Sequence, residues 1–216
     1  MNDGSSQVVG IVLAGGLSRR MGSAEKSQMQ LAGKSLLEHV LDRVRPQVDV
    51  LLLNANGDPQ RFAGLQRPVI ADVIAGFAGP LAGILTGMEW VQENYPKCQW
   101  LASFASDTPF LPRDLVARLV SQAQLAETSL ACAASNDRTH PVCGLWPVSL
   151  AKELRRAMVQ NNSRKVGTWA AQYDCVQVNW DSRGYDPFFN INRPQDLEEA
   201  ERILVGDYHR EFSQDG

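Results

Sequence analysis

Apolar and polar residues fall along this chain in blocks whose period changes repeatedly. Val8 to Leu13 is a short apolar, β-branched run that stops at Ala14, Gly15 and Gly16, the pattern of a buried strand emptying into a loop without bulk. Ser35-Leu36-Leu37-Glu38 has the form of a capping box, and Leu37, Val40, Leu41 and Val44 then recur at helical spacing until Pro46. Val48 to Leu53 reads as the next buried strand, ending at Asn54-Ala55-Asn56-Gly57, and Pro68 to Ile70 as a shorter one ending at Asp72. Gly79-Pro80-Leu81-Ala82-Gly83 opens a helix, with Pro80 suited to its first turn and Leu81, Ile84, Leu85 and Met88 on one face. Trp100 to Ser106 predicts a strand that delivers Asp107, and Thr108-Pro109-Phe110-Leu111-Pro112 breaks the chain before a helix containing Leu115, Leu119 and Val120.

The second half is less regular. Leu130 to Ala134, Val142 to Trp146 and Cys175 to Trp180 read as strands, with helices from about Leu150 to Val159 and around Lys165 to Gln172. Phe188-Phe189-Asn190-Ile191-Asn192 precedes a helix begun by Pro194 and carrying Leu197, Ala200, Glu201 and Leu204 along one side. Strand alternating with helix predicts an α/β fold. The sheet is expected to be mostly parallel, the middle of three layers, wound by right-handed crossovers in the Rossmann-like manner, with ligands at the carboxyl ends of its strands. The 216 residues suit one domain over 8–205, between a polar leader at 1–7 and a polar tail at 206–216.

Composition narrows the partners. A chain 44% hydrophobic and 21% charged is ordinary for a globular protein, and no apolar run approaches the ~20 residues of a spanning helix. Neither a membrane partner nor secretion is expected, and the cytoplasm is the expected location. A net charge of −3 argues against broad nucleic-acid binding, so an anionic ligand has to be met by a few placed cations. Cys98, Cys132, Cys143 and Cys175 form no Cys-x-x-Cys pair, and His39, His140 and His209 complete no zinc-ligand spacing.

The small residues after the first strand let backbone N–H groups approach a ligand, and Arg19, Arg20 and Lys26 follow within reach, so the loop reads as a phosphate cradle. Adjacent Gly15 and Gly16 break the Gly-x-Gly-x-x-Gly interval of a dinucleotide fingerprint. Gly33-Lys34-Ser35 imitates the end of a P-loop, but the required earlier glycine is Gln28, which leaves Lys34 a solvated loop residue. Asp107 has the chemistry of a Mg²⁺ ligand, because that ion takes one or two carboxylates and completes its shell with phosphate oxygens and water. On local sequence alone Asp107 reads more readily as a turn or helix-cap residue, and Asn54 and Asp72 fit turn residues equally well. Surface arginines are common, so Arg19 reads as solvated, and Arg164 and Lys165 read as a charge pair at a helix start with no assigned role. His140 before Pro141 reads as a packed or hydrogen-bonded histidine, since no acidic partner adjoins it in sequence.

Leu13-Ala14-Gly15-Gly16-x-Ser18-x-Arg20-Met21-Gly22-x-x-x-Lys26 resembles the opening signature of nucleotidyltransferases with a glycosyltransferase-A-like fold, the nucleotide-diphospho-sugar transferase type. It is most similar to the molybdenum cofactor guanylyltransferases. The resemblance continues in order through Asn54, Asp72, Gly79-Pro80-Leu81-Ala82-Gly83, Asp107-Thr108-Pro109, His140-Pro141 and Asn190-x-Asn192. It implies that Leu13, Ala14, Gly15, Gly16, Lys26, Asn54, Asp72, Gly79, Pro80, Leu81 and Asp107 bind GTP, and that Arg20, Lys26 and Asp107 serve catalysis. It further implies that Asp107 holds Mg²⁺ as the cofactor, with Asn190 and Asn192 on the acceptor side of the reaction centre. The N-terminal half would then bind GTP and the C-terminal half the acceptor, molybdenum-bound molybdopterin. Other molybdenum cofactor biosynthesis proteins and recipient molybdoenzymes are the implied protein partners. Glu25 departs from the family, which usually places Asp before the lysine, and implies tuning of Lys26 rather than its loss. Alternatives are a cytidylyltransferase acting on the same pterin, a sugar-phosphate nucleotidyltransferase, and a non-catalytic module that senses GTP.

Overall fold

A computed structural model describes residues 7–15, 29–65, 67–76, 79–126 and 130–212, with side chains as far as residue 206. Its first strand, β1 (Val8–Leu13), is buried at every position. Val9, Ile11 and Leu13 point into one core and Val8, Val12 and Ala14 into another, the period-two division that a sheet covered on both faces demands. Gly10 interrupts the second set, where a Cβ would stand 3.0 Å from Leu51, Phe104 and Val48. The missing side chain is the space that the Phe104 ring and its neighbours occupy.

The chain continues through a two-residue-turn hairpin, β2 (Gln30–Leu31) and β3 (Lys34–Ser35), into helix α1 (Leu36–Val44). Ala32 and Gly33 make the turn with φ of 49° and 80°. Lys34 reaches Asp42 at 2.8 Å on the surface, which disposes of the P-loop imitation. The capping box is formed as the spacing predicts: Ser35 Oγ accepts from the Glu38 N–H, and the Glu38 carboxylate accepts from the Ser35 N–H. Then follow β4 (Val50–Asn54), β5 (Val69–Ile70), α2 (Pro80–Asn94), β6 (Trp100–Ala105) and α3 (Leu115–Leu125). The second half contributes β7 (Leu130–Ser135), β8 (Arg138–Pro147), α4 (Ala151–Gln160), α5 (Val166–Ala170), β9 (Cys175–Asn179) and α6 (Pro194–Phe212).

Seven strands form one sheet in the order β5-β4-β1-β6-β8-β7-β9. β5, β4, β1 and β6 run parallel, β7 and β9 run parallel, and β8 alone is antiparallel to its neighbours β6 and β7. One core packs α2, α4 and α5 on one face, the other packs α1 and α3 on the opposite face, and the three-layer, mostly parallel α/β arrangement read from the sequence stands. A third, smaller cluster gathers Leu31, Leu36, Phe110, Ile191, Ala200 and Ile203, seating the start of α6 against the β2–β3 hairpin. Among the described residues no helix is long and apolar enough to cross a membrane.

Two boundaries differ from the sequence reading. β8 begins at Arg138 rather than Val142, because Asn136 and Asp137 take φ of 48° and 56° and close a tight hairpin with β7. The pairing then slips between Cys132 and Ala133, so that Pro141, which has no N–H to give, sits in the irregular stretch where no ladder bond is required. The C-terminal helix also passes through Gly206 to Phe212, where a polar tail was expected. A lone glycine costs a helix only about 1 kcal/mol relative to alanine and need not end it.

Phe104→Ala should lower unfolding stability by about 3–5 kcal/mol, because the side chain is fully buried and Gly10 cannot fill the void. Denaturant melts check this, and an unchanged midpoint would show that the second core does not depend on this contact.

Candidate active site

The chain leaves β1 towards β4 and β5 and returns on the other side of β1 at β6, so the strand order reverses at β1. A crevice opens outside the carboxyl ends of parallel strands at such a reversal. Leu13, the last residue of β1, stands in register with Asn54 of β4 and with Ala105 of β6. Leu13, Ala14 and Gly15 therefore lie between Asn54 on one side and the Asp107 turn on the other.

On the β4 side the groups are tied together. The Ala14 N–H donates to the Asn54 carbonyl at 2.9 Å, extending the ladder one residue beyond the strand. The Asn54 side chain is buried, and its amide donates to the Ile70 carbonyl at 3.2 Å and to Asp72 Oδ1 at 3.0 Å. Asn56 holds the other carboxylate oxygen, donating to Asp72 Oδ2 at 2.7 Å, while its own Oδ1 accepts from the Asp72 N–H at 2.9 Å. Asp72 is thus a half-buried carboxylate oriented by two amides, each of its oxygens keeping acceptor capacity for a ligand. Thr86 completes the support, accepting from the Val73 N–H at 3.0 Å and donating back to the Ala82 carbonyl within α2.

Gly79, Pro80 and Leu81 sit at the start of α2 as expected, with Gly79 at a φ of 139° that other residues rarely adopt. The contact that matters lies one turn further on. A Cβ on Gly83 would stand 2.3 Å from Asn54 Oδ1 and 2.7 Å from Leu13, so α2 approaches the strand ends only because Gly83 has none. The Arg164 carbonyl lies 3.9 Å from the corresponding position on Gly79, which brings the turn before α5 to the same helix end.

On the β6 side Asp107 is half-buried in the turn after the strand, and its carbonyl accepts the Ile191 N–H at 2.9 Å. That bond helps bring the loop with exposed Asn190 and Asn192 to the Asp107 turn from more than eighty positions away. A cavity of about 330 Å³ opens beside Asp107, with Ser35, Leu37, Arg61, Phe62 and Ser106 in its wall. The Cys143 thiol, also on this side of the sheet, is fully buried and pushed up to about 12 by desolvation, which keeps it protonated and unreactive at neutral pH. Gly16, Arg19, Arg20 and Lys26 lie outside the described residues.

His140 is packed and hydrogen-bonded, as read, yet it does reach an acid. Its Nε2 lies 2.7 Å from Ser135 Oγ, and Ser135 Oγ lies 2.7 Å from Asp186 Oδ1. Burial pushes the imidazole below its ordinary value, opposed by the Asp186 carboxylate and reinforced by the Arg138 guanidinium. Asn56, Thr86, Ser135 and Asp186 were not anticipated as supporting residues. The doubled asparagine of Asn54-Ala55-Asn56 was the available signal for the first, but it reads equally as turn composition.

A family profile described as MobA-like NTP transferase domain matches residues 10–176. A protein from Bradyrhizobium sp. (strain ORS 278) named molybdenum cofactor guanylyltransferase is 51% identical over 201 residues, covering 93% of this chain and 95% of that one. The crystal structure of molybdopterin-guanine dinucleotide biosynthesis protein A from Archaeoglobus fulgidus superposes with a TM-score of 0.69 at 27% identity, covering 92% of this chain and 99% of that one. A Mycobacterium tuberculosis protein solved in complex with manganese shares the fold, with a TM-score of 0.64 at 17% identity over 90% of this chain and 97% of that one.

Gly83→Ala should displace the Asn54 amide and lower unfolding stability by about 1.5–3 kcal/mol, the range expected when a hydrogen bond to a charged group is lost. Denaturant melts check it, and an unaltered midpoint would show that Asn54 does not depend on the bare backbone of Gly83. A second expectation concerns pH. The free imidazole titrates near ~6.5 and folded His140 below that, so its neutral form supports the fold fully above ~6.5 and the support is lost as pH falls. The melting temperature should drop between about pH 7.5 and about pH 5.5, and drop less in His140→Gln. Parallel curves for the two proteins would contradict this.

Proposed function

The chain belongs to the family of MobA-like NTP transferase domains, and we propose that it transfers GMP from GTP to the terminal phosphate of molybdenum-bound molybdopterin, releasing pyrophosphate and forming the guanine dinucleotide cofactor. The observation that carries this reading is the gathering of two differently built carboxylate sites on either side of β1, Asp72 held by Asn54 and Asn56, and Asp107 tied to the Asn190 loop. One suits the recognition of a nucleoside and the other a reacting phosphate.

In this mechanism Leu13, Ala14 and Gly15 form the floor beneath the nucleotide, where the absence of bulk lets the triphosphate approach the backbone. Asp72 accepts hydrogen bonds from the nucleoside, its orientation fixed before the ligand arrives, and Gly79 to Leu81 bring the start of α2 to the same ligand. Gly16, Arg20 and Lys26 neutralise the charge that develops on the departing pyrophosphate. The acceptor oxygen attacks the α-phosphorus, a new P–O bond forms, and the bond to the pyrophosphate oxygen breaks. A phosphate monoester has its second pKa near ~6 and is already ionised at neutral pH, so no side chain need remove a proton. Asn190 and Asn192 border the acceptor and orient it for in-line attack.

Asp107 fits a divalent cation by its chemistry. It is a half-buried carboxylate in the turn after β6, in the wall of a cavity, and no group of three or more His, Cys, Asp or Glu side chains gathers among the described residues to make an all-protein cage. A hard ion held by one carboxylate, phosphate oxygens and water matches that donor set, and Mg²⁺ is the ion proposed. When bound, it supplies charge stabilisation at the reacting phosphate. The substrates are GTP and molybdenum-bound molybdopterin, and the site of action is the cytoplasm.

Purified protein given Mg²⁺ and molybdenum-bound molybdopterin should release pyrophosphate with GTP and not with CTP, and the product should contain guanine. Release with CTP alone would move it to a cytidylyl reaction, and silence with both would overturn the reading. Asp107→Ala should lower turnover by at least about 100-fold, the scale of removing one charge-stabilising group, with melting behaviour preserved. Turnover close to that of the parent protein would remove Asp107 from the mechanism.

A further inference from the structure

We propose that Asp186 is a positioning residue for the acceptor half of the reaction, acting through the loop that carries Asn190 and Asn192. The inference rests on the guanylyl-transfer reading for the role of those asparagines, and on hydrogen bonding for the rest. Asp186 Oδ1 accepts two hydrogen bonds, from Ser135 Oγ at 2.7 Å and from the Phe188 N–H at 2.9 Å, and its carbonyl accepts the Phe189 N–H at 3.0 Å. The carboxylate thereby closes the turn that starts the loop and fastens it to the end of β7.

The direction of the array follows from donor and acceptor counting. An ionised carboxylate can only accept, so the one Ser135 proton points to Asp186, and His140 must donate its Nε2–H to the same hydroxyl oxygen. Serine, not histidine, is the middle member. Its proton is committed to an acid and its lone pair to an imidazole, which is the reverse of a nucleophile activated by a base. The three residue types therefore form a structural clamp. The His140 ring adds to it by stacking on Phe188 at 4.6 Å and 17°, while Trp180 meets Phe188 edge-on at 5.5 Å.

Beyond Phe188 the chain is fixed at two further places. Ile191 is fully buried and donates its N–H to the Asp107 carbonyl, and Asp196 Oδ2 accepts the Asn192 and Arg193 N–H groups at 2.8 and 2.9 Å. Asn190 and Asn192 are exposed between these anchors. Their placement beside Asp107 thus depends on a carboxylate at each end of the loop, and Asp186 is the one that joins the loop to the sheet.

The test compares Asp186→Ala, Asp186→Asn and Ser135→Ala with the parent protein by amide hydrogen exchange at Ile191 and by steady-state kinetics with GTP, Mg²⁺ and molybdenum-bound molybdopterin. Asp186→Ala should speed exchange at Ile191 at least about tenfold and lower kcat/KM for molybdenum-bound molybdopterin by a similar factor, while KM for GTP stays within about twofold, as expected when one charge-assisted clamp is lost. Asp186→Asn keeps an acceptor oxygen where Oδ1 stands and should restore both within about threefold. Ser135→Ala, which removes only the hydroxyl, should show the same pattern in smaller measure. Unchanged exchange and acceptor kinetics in Asp186→Ala would overturn the proposal. So would an Asp186→Asn variant as impaired as the alanine, or a KM for GTP that moves together with the acceptor parameters. A parent protein inert towards GTP and molybdenum-bound molybdopterin would defeat the functional reading instead, and exchange at Ile191 would still decide whether Asp186 positions the loop.

Discussion

Strand β1 has no free edge and no free face. It is paired with β4 on one side and β6 on the other, and covered by a helical layer on each surface. That enclosure allows only small or apolar residues along it and forces polar chemistry to its end, where the backbone emerges at Leu13, Ala14 and Gly15. Because the chain departs to one neighbour and comes back to the other, the residues that follow β4, β5 and β6 are delivered around the same exit. The Asp72 and Asp107 carboxylates owe their placement at the same end of the sheet to winding order rather than to any attraction between them.

Glycine sets how closely the layers meet around this exit. Gly10 yields its place to Phe104, and Gly83 yields its place to the Asn54 amide. In the first case the gain is packing density in the core; in the second it is a buried polar side chain with its donor hydrogens used. Asn54 can be buried only because the helix facing it has no side chain at that point. The pair Asn54 and Asp72 is thus sustained by backbone proximity on one side and by Asn56 on the other.

Much of the fold was legible because hydrophobic period and turn chemistry agree over most of the chain. The capping box at Ser35, the apolar run ending at Leu13 and the Gly79-Pro80 helix start each describe a local decision that tertiary packing does not reverse. Where the reading failed, the deciding contact was distant or the local signal was ambiguous. The strand was read from Val142, and only the pairing of Arg138, Thr139 and His140 against β7, with a slip that accommodates Pro141, carries it back to Arg138. Gly206 looked like an end, yet glycine permits a stop without requiring one. In the site, Asn54, Asp72 and Asp107 each resembled turn residues, and the resemblance to a known signature rather than the local residues singled them out. Their partners were invisible for the same reason: hydrogen bonds such as Asn56 to Asp72 or Ser135 to Asp186 join positions whose separation carries no period.

The single reversed strand, β8, has a consequence for how the molecule comes together. β7 and β8 are joined by a tight turn and pair locally, whereas β1 must find β6 far along the chain, with Val8 opposite Trp100. Closing that long loop carries an entropic cost before any contact rewards it, and local hairpins form on much shorter timescales. The ends of β1 and β6, and with them Leu13 and the turn that carries Asp107, come side by side only when these two strands have paired, so the candidate site belongs to the completed topology and to no early fragment of the chain.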